Sequence, residues 1–243
     1  MHRDQYLEHL ARDGRRMADL ATGDLQVQVP TCPDWKLVDL IEHTGMVHRW
    51  QTEAARESRG SFPDEAIWRH GPADGQSWAE WFQAGVDDAL ATMSKLDPDE
   101  PRWTWFSPDE KAQWYFRRIA QETVVHRIDA ELAATGSFTP VEPGLAIDGI
   151  NEMFDMFLPA SGPEEIGGNG ETVHLHATDA EGEWLVTVHP QTITVEPGHA
   201  KGDAAVRGTA SDLLLFVWGR SFGQPERIGD EAAIDKLYAG FKI

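Results

Sequence analysis

The residue types able to do chemistry converge first in Glu122-Thr-Val-Val-His126. Residues four apart on a helix lie about 40° apart around its axis, so this carboxylate and imidazole project side by side. The same stripe carries Ile119, Thr123 and Ala130, so both polar groups are expected to face inward. A buried carboxylate is costly unless it is paired or bound to a cation. A histidine and a carboxylate on one helix face make a common half of a divalent-metal site. On spacing alone, however, an internal Glu–His hydrogen bond or a solvated pair is the simpler account. The second expected helix offers a further ligand. His43 follows Trp35 by eight residues, and both His43 and His48 lie beside the apolar arc Leu40, Val47 and Trp50. Helical geometry does not choose between them, and either one reads equally as a packed histidine.

Other chemistry-bearing residues carry less. Gly219-Arg-Ser221-Phe-Gly223 has the form of a nucleophile elbow, which requires a strand before it and a triad histidine after it. The last histidine is His199, so a serine hydrolase is excluded. His174 and His176 alternate along an expected strand, a spacing that could chelate a metal but more commonly marks a solvated strand face. Cys32 is the one cysteine. It excludes an intrachain disulfide and a thiolate-rich metal site, and its turn, Thr31-Cys32-Pro33, offers no activating base. Trp103, Trp105 and Trp114 are expected as core or as the wall of a pocket.

The elements that must position these residues change character along the chain. Apolar residues at three-and-four spacing predict helices over 4–21, 35–58, 77–93 and about 109–134. Asp34 is the expected N-cap of the second, and Ser77-Trp-Ala-Glu80 has the form of a capping box for the third. The Gly- and Pro-rich stretch 59–76 reads as a loop. After a short helix near 144–158 and a loop at 163–170, strands are expected at 173–178, 184–188, 192–196 and 204–207. Ser211–Trp218 is a helix or a buried strand, and 231–241 is a closing helix. The change of period places a domain boundary between 140 and 165, drawn at 150: a four-helix bundle over 1–150 and a small α/β domain over 151–243.

Composition narrows the partners. The 243 residues include 21 basic and 41 acidic side chains, a net charge of −20. Such a field repels phosphate backbones and anionic lipid surfaces, so neither nucleic acid nor membrane is an expected partner. No apolar run approaches the ~20 residues of a membrane span. The polar segment 1–6 lacks the apolar core of a signal peptide, and a soluble cytoplasmic protein is expected.

The segment from Val29-Pro-Thr-Cys-Pro-Asp-Trp35 through His43 to Trp50 resembles the first signature of the DinB-like metalloproteins, and more narrowly that of the mycothiol-dependent maleylpyruvate isomerase family. Glu122 to Glu131 resembles that family's second signature. His174 to Asp179, Gly182-Glu-Trp184 and Gly208 to Arg220 are similar to its small C-terminal domain. The matches run in order over nearly the whole chain. They imply a DinB-like four-helix bundle followed by a sterol-carrier-protein-like α/β sandwich. They also imply His43, Glu122 and His126 as metal ligands, with His48 left to packing. Two imidazoles and one carboxylate suit Zn²⁺ with an open fourth position.

The activity that the resemblance implies is thiol chemistry. A divalent metal lowers the pKa of a low-molecular-weight thiol, mycothiol in this family, and the metal-bound thiolate adds to an electrophilic small molecule such as a cis-unsaturated dicarbonyl acid. Elimination after bond rotation makes the enzyme an isomerase, and retention of the adduct makes it an S-transferase. Arg220 matches a family arginine that contacts substrate, although a cation offsetting a helix dipole explains the same residue. A metal-dependent hydrolase and a non-catalytic metal- or ligand-binding protein are the other classes considered. Monomer and homodimer are both compatible with the sequence.

Overall fold

The described part of residues 1–139, the first of two compact units, forms five helices; the second unit is Pro140–Ile243. The computed structural model describes residues 1–58, 60–105, 110–160 and 166–241. The first unit contains α1 (Arg3–Leu20), α2 (Leu37–Glu57), the one-turn α3 (Glu65–Trp68), α4 (Trp78–Met93) and α5 (Gln113–Thr135). The four long ones match the expected stripes, and α3 interrupts the expected loop. The expected start of the fourth stripe at Asp109 lies outside the described residues.

The caps follow local chemistry. Ser77 and Glu80 form the expected capping box, Ser77 Oγ accepting the Glu80 N–H and Glu80 accepting the Ser77 N–H. Asp34 does not cap α2. That helix starts later, with Lys36 as N-cap and Asp39 accepting the Lys36 N–H at 2.8 Å. Gly136 ends α5 at φ 73°, a left-handed conformation that glycine adopts without a Cβ penalty.

α1 packs on α4 and α5, and α2 packs on the same two helices. α5 is therefore central, and nearly every residue from Trp114 to Leu132 is buried. That leaves its polar residues one way to be tolerated, which is pairing. Arg127 and Glu131 are an example. Glu131 takes hydrogen bonds from Arg16 at 2.7 Å, Arg127 at 2.9 Å and the Thr139 N–H at 2.7 Å. α2 and α4 approach closely at Gly45, where an added Cβ would lie 2.3 Å from the Trp81 ring. Arg49 stacks on that ring at 3.8 Å and donates to the Gly45 and Trp81 carbonyls.

The second unit begins with α6 (Pro143–Glu152), which runs through one π-helical turn, Met153–Phe157, into α7 (Leu158–Ala160). Its buried residues Leu145, Ala146 and Ile150 belong to a helix packed on α8 (Ala210–Val217), so α6 groups with the second unit and the division falls about ten residues before 150. The sheet has five strands: β1 (Glu171–Ala177), β2 (Glu183–Val188), β3 (Ile193–Pro197), β4 (Ala204–Gly208) and β5 (Glu226–Gly229), in the order β3-β2-β1-β4-β5. Only β1 and β4 run parallel. α8 and α9 (Glu231–Gly240) pack on the face that carries Val173, Leu175, Trp184, Val186, Ala204 and Val206. The open choice at 211–218 resolves as helix, capped by Thr209 accepting the Asp212 N–H. Ser221 consequently follows a helix rather than a strand. The fold is the expected helical region followed by an α/β region; β5, which the sequence pattern did not reveal, is a four-residue strand exposed throughout.

Candidate metal centre in the helical unit

One polar stripe of α5 builds most of the site. Arg118, Glu122, His126 and Asp129 follow one another at spacings of four, four and three, so they share a face of the helix. Arg118 donates to Glu122 Oε2 at 3.0 Å. The other carboxylate oxygen, Oε1, lies 3.3 Å from His126 Nε2. The far side of that ring is fixed in turn: His126 Nδ1 donates to Asp129 Oδ2 at 2.9 Å, and Asp129 is fully buried. Each functional side chain thus has one atom tied down and one turned toward a common point.

α2 supplies the third group. His43 Nε2 lies 3.3 Å from the same Glu122 Oε1, and the His43 and His126 rings meet edge to face with centroids 5.2 Å apart. Trp35 covers both, with centroids 4.8 Å from His43 and 6.4 Å from His126. Its backbone is held in the turn before α2, where the Val29 N–H donates to the Trp35 carbonyl at 2.9 Å. One nitrogen of each histidine and one oxygen of Glu122 lie within 4.8 Å of one another. Side-chain exposure falls from 39% at His43 to 16% at Glu122 and 10% at His126, so the cluster opens to solvent on the α2 side.

Electrostatics keep the cluster ionic. Burial works against a charged Glu122, yet His126, His43 and Arg118 hold its carboxyl well below the usual range. Burial likewise opposes an imidazolium at His126, but the charges and hydrogen bonds of Glu122 and Asp129 outweigh it and raise its pKa. His48 feels the same charges but is governed by burial. It is fully buried, its Nε2 lies 2.8 Å from Thr123 Oγ1, and Thr123 spends its own hydrogen on the Ile119 carbonyl, so His48 Nε2 is the donor. Burial pushes its pKa down to about 3, which makes it a neutral packed histidine.

With this geometry in view, comparison with known proteins is informative. Residues 7–131 match the family model described as the mycothiol maleylpyruvate isomerase N-terminal domain, and residues 144–235 match the C-terminal domain model of the same family. The chain belongs to the mycothiol maleylpyruvate isomerase family. Among solved structures, it is similar to a mycothiol-dependent maleylpyruvate isomerase and to a histidine-to-alanine mutant of that enzyme. Each match has 12% identity, a TM-score of 0.59 and 93% coverage of both chains. At that identity the likeness is one of fold. No curated protein matches the chain by sequence.

Other residues singled out in the sequence take different places. Trp103 and Trp105 pack with Phe62, and Trp105 also meets Trp50, whereas Trp114 stacks edge to face on Tyr115; none of these contacts involves the cluster. Cys32 lies half-buried in the turn before α2. Arg220 belongs to the second unit, half-buried just beyond α8, where its Nη1 donates to the Trp218 carbonyl at 2.7 Å. Arg118, Asp129 and Trp35 were not assigned roles from sequence. The first two were within reach of the helical arithmetic that found Glu122 and His126.

Proposed function

We propose that the protein is a metal-dependent, thiol-using enzyme of the maleylpyruvate isomerase type, with His43, Glu122 and His126 as the ligands of one divalent cation. The observation that carries this is the convergence of two imidazole nitrogens on a single carboxylate oxygen whose partner oxygen is already taken by Arg118. The donor set fits Zn²⁺, which accepts nitrogen and oxygen ligands and in catalytic sites keeps a position open beside three protein ligands. Asp129 on the outer nitrogen of His126 fixes the tautomer that leaves Nε2 for a metal, the usual outer partner of a metal-binding histidine. A cation held there supplies Lewis acidity, which lowers the pKa of a thiol brought to it.

The chain's own residues then have defined tasks. Cys32 shares the turn that carries Trp35 but is not among the residues whose ligand atoms cluster, so the nucleophilic sulfur is expected from a cosubstrate; mycothiol is the thiol that the family's name supplies. Trp35 shields the two histidines on one side, while half-buried His43, the most accessible of the three, marks the side where thiol and electrophile would enter. For a cis-unsaturated dicarbonyl acid, the reaction balances without a redox partner. A sulfur–carbon bond forms as the carbon–carbon double bond becomes single, the bond rotates, and loss of the thiolate restores the double bond in the trans form. Arg220 is proposed to bind a substrate carboxylate, which a chain of net charge −20 needs a local cation to hold.

The deciding experiment follows conversion of such an acid with mycothiol, with another thiol and with none, before and after removal of metal. Thiol- and metal-dependent isomerisation, lost in His43→Ala, is expected. Turnover that needs metal but no thiol would point to a hydrolase. Metal binding without turnover of any such acid would point to a binding protein.

A further inference from the structure

The second unit holds another histidine–carboxylate cluster. His174 and His176 are two residues apart on β1, so both rings leave the same face of the strand, opposite Val173, Leu175 and Ala177. Glu183, the first residue of β2, is the direct cross-strand neighbour of His176. Its Oε2 lies 2.9 Å from His174 Nε2 and 2.6 Å from His199 Nδ1, and its Oε1 lies 3.6 Å from His176 Nδ1. His199 comes from the loop after β3. Gly198, at φ 116°, turns that loop back and donates its N–H to the Glu183 carbonyl at 2.8 Å. This lays the His199 ring edge to face against His174, with centroids 5.1 Å apart.

We propose that His174, His176, Glu183 and His199 form a second metal site, of the zinc class, which ties the 198–203 loop to the sheet. One ligand atom from each of the four residues lies within 4.8 Å of the others. A tetrahedral ion with bonds of 2.0 to 2.1 Å holds its donors about 3.4 Å apart. The separations of His174 from Glu183 Oε2, 2.9 Å, and of His176 from Glu183 Oε1, 3.6 Å, lie on either side of that value, and the 2.6 Å contact of the loop residue His199 has to lengthen on binding. A hydrogen-bonded pair needs one histidine on the carboxylate, whereas here three imidazoles, two from β1 and one from the loop after β3, crowd the same one. Three nitrogens and one oxygen favour Zn²⁺, Ni²⁺ or Cu²⁺ over Mg²⁺ and Ca²⁺, which take oxygen ligands. Four protein ligands close the coordination sphere, the pattern of a structural rather than a catalytic ion. An entry route exists as well. A pocket of about 290 Å³ reaches His174 and His199, and the His199 side chain is 78% exposed.

The test uses untagged protein carrying His43→Ala and His126→Ala, so that the helical cluster cannot contribute and its own reading stands or falls separately. Titration with Zn²⁺, with Mg²⁺ as control, is expected to give one saturable equivalent per chain at micromolar affinity or tighter. Co²⁺ should give the absorption of a tetrahedral ion, and Zn²⁺ should raise Tm. His199→Ala removes an exposed ring, leaves the fold intact, and should weaken binding at least tenfold; adding His174→Ala should abolish it with the circular dichroism unchanged. Should the helical substitutions unfold the protein, the count in the unmodified chain decides: it should fall by one equivalent when His174 and His199 are both replaced. Absence of saturable Zn²⁺ binding, or binding that His199→Ala leaves unchanged, overturns the proposal.

Discussion

In the helical unit, Glu122 gives one oxygen to Arg118 and turns the other toward two histidines, one of which is braced by buried Asp129. In the sheet unit, the ion pairs and side-chain hydrogen bonds of Glu183 among the described residues all go to histidines, and one of these is carried on an exposed loop. The first arrangement has three donors pre-set by helix geometry and outer partners. The second has four donors, of which one is brought in by a turn at Gly198. Three braced donors with an open side suit chemistry, and four donors drawn from strands and a loop suit cross-linking. If that contrast holds, the two clusters answer differently to substitution.

The largest difference is expected from His126→Ala. Loss of one of the three proposed ligands should eliminate tight metal binding at the helical cluster, and with it thiol-dependent turnover, while the equivalent proposed for the sheet unit remains. Calorimetric stoichiometry and a turnover assay on one preparation check this. Joint loss of both equivalents would mean that the clusters are not independent.

Packing around the two carboxylate networks should differ in stability as well. Glu131 is buried with Arg127 and bonded to Arg16 and the Thr139 N–H. Glu131→Gln removes the charge opposite a buried guanidinium and is expected to cost about 3 kcal/mol in denaturant unfolding, since breaking a buried pair costs ~3–5 kcal/mol and glutamine keeps one acceptor. His199→Ala, at an exposed ring, should cost less than about 1 kcal/mol without metal. Burial raises the Glu131 pKa, but the Thr139 N–H, Arg16 and Arg127 outweigh it and hold the folded value below the ordinary one. Its stabilising contribution is therefore complete above the unfolded pKa, ~4.3, and is lost as pH falls through the folded value. The gap between Glu131→Gln and the unmodified protein should narrow below about pH 4.

Legibility in the sequence follows the range of the interactions. Helix periodicity exposed the four long helices, and the same period of 3.6 exposed Glu122 and His126 as neighbours. Arg118 and Asp129 obey that arithmetic too, but an arginine and an aspartate on a helix ordinarily read as solvated, and only the burial of α5 on all sides gives them meaning. The choice of His43 over His48 came from resemblance, since spacing left both open; in the structure His43 Nε2 lies beside Glu122 Oε1, whereas His48 Nε2 bonds Thr123 Oγ1. In the sheet unit, His174 and His176 were visible as a spacing. Glu183 required the hairpin register and His199 required the direction of a loop, both non-local properties that no period encodes. β5 escaped because a four-residue exposed strand has no alternation to display.

Between these extremes lies Asp129→Asn. It preserves shape and leaves every ligand of the helical cluster in place, but it takes the negative charge from the outer nitrogen of His126. Outer partners of this kind are worth ~10–100-fold in metal affinity. A loss in that range at the helical cluster, with the sheet cluster unchanged, is expected from competition with a chromophoric chelator. An unchanged affinity would show that the charge of Asp129 is not needed, the hydrogen bond to an amide oxygen being enough to hold the ring.

The smallest effect bears on whether the sheet unit contributes to catalysis at all. Arg220 follows α8, its backbone N–H on the Leu215 carbonyl at 2.8 Å and its Nη1 on the Trp218 carbonyl. A cation at a helix C-terminus stabilises the helix by about 0.3–1 kcal/mol, and a lysine does this as well as an arginine. A carboxylate gripped by two parallel N–H donors is different, because the planar guanidinium matches it and an ammonium does not. Arg220→Lys separates the two roles. Substrate binding predicts KM raised about tenfold, the equivalent of one charge-assisted hydrogen bond, with metal content, Tm and kcat unchanged. If KM does not move, Arg220 serves the helix end, and the substrate carboxylate has to be held by another cation.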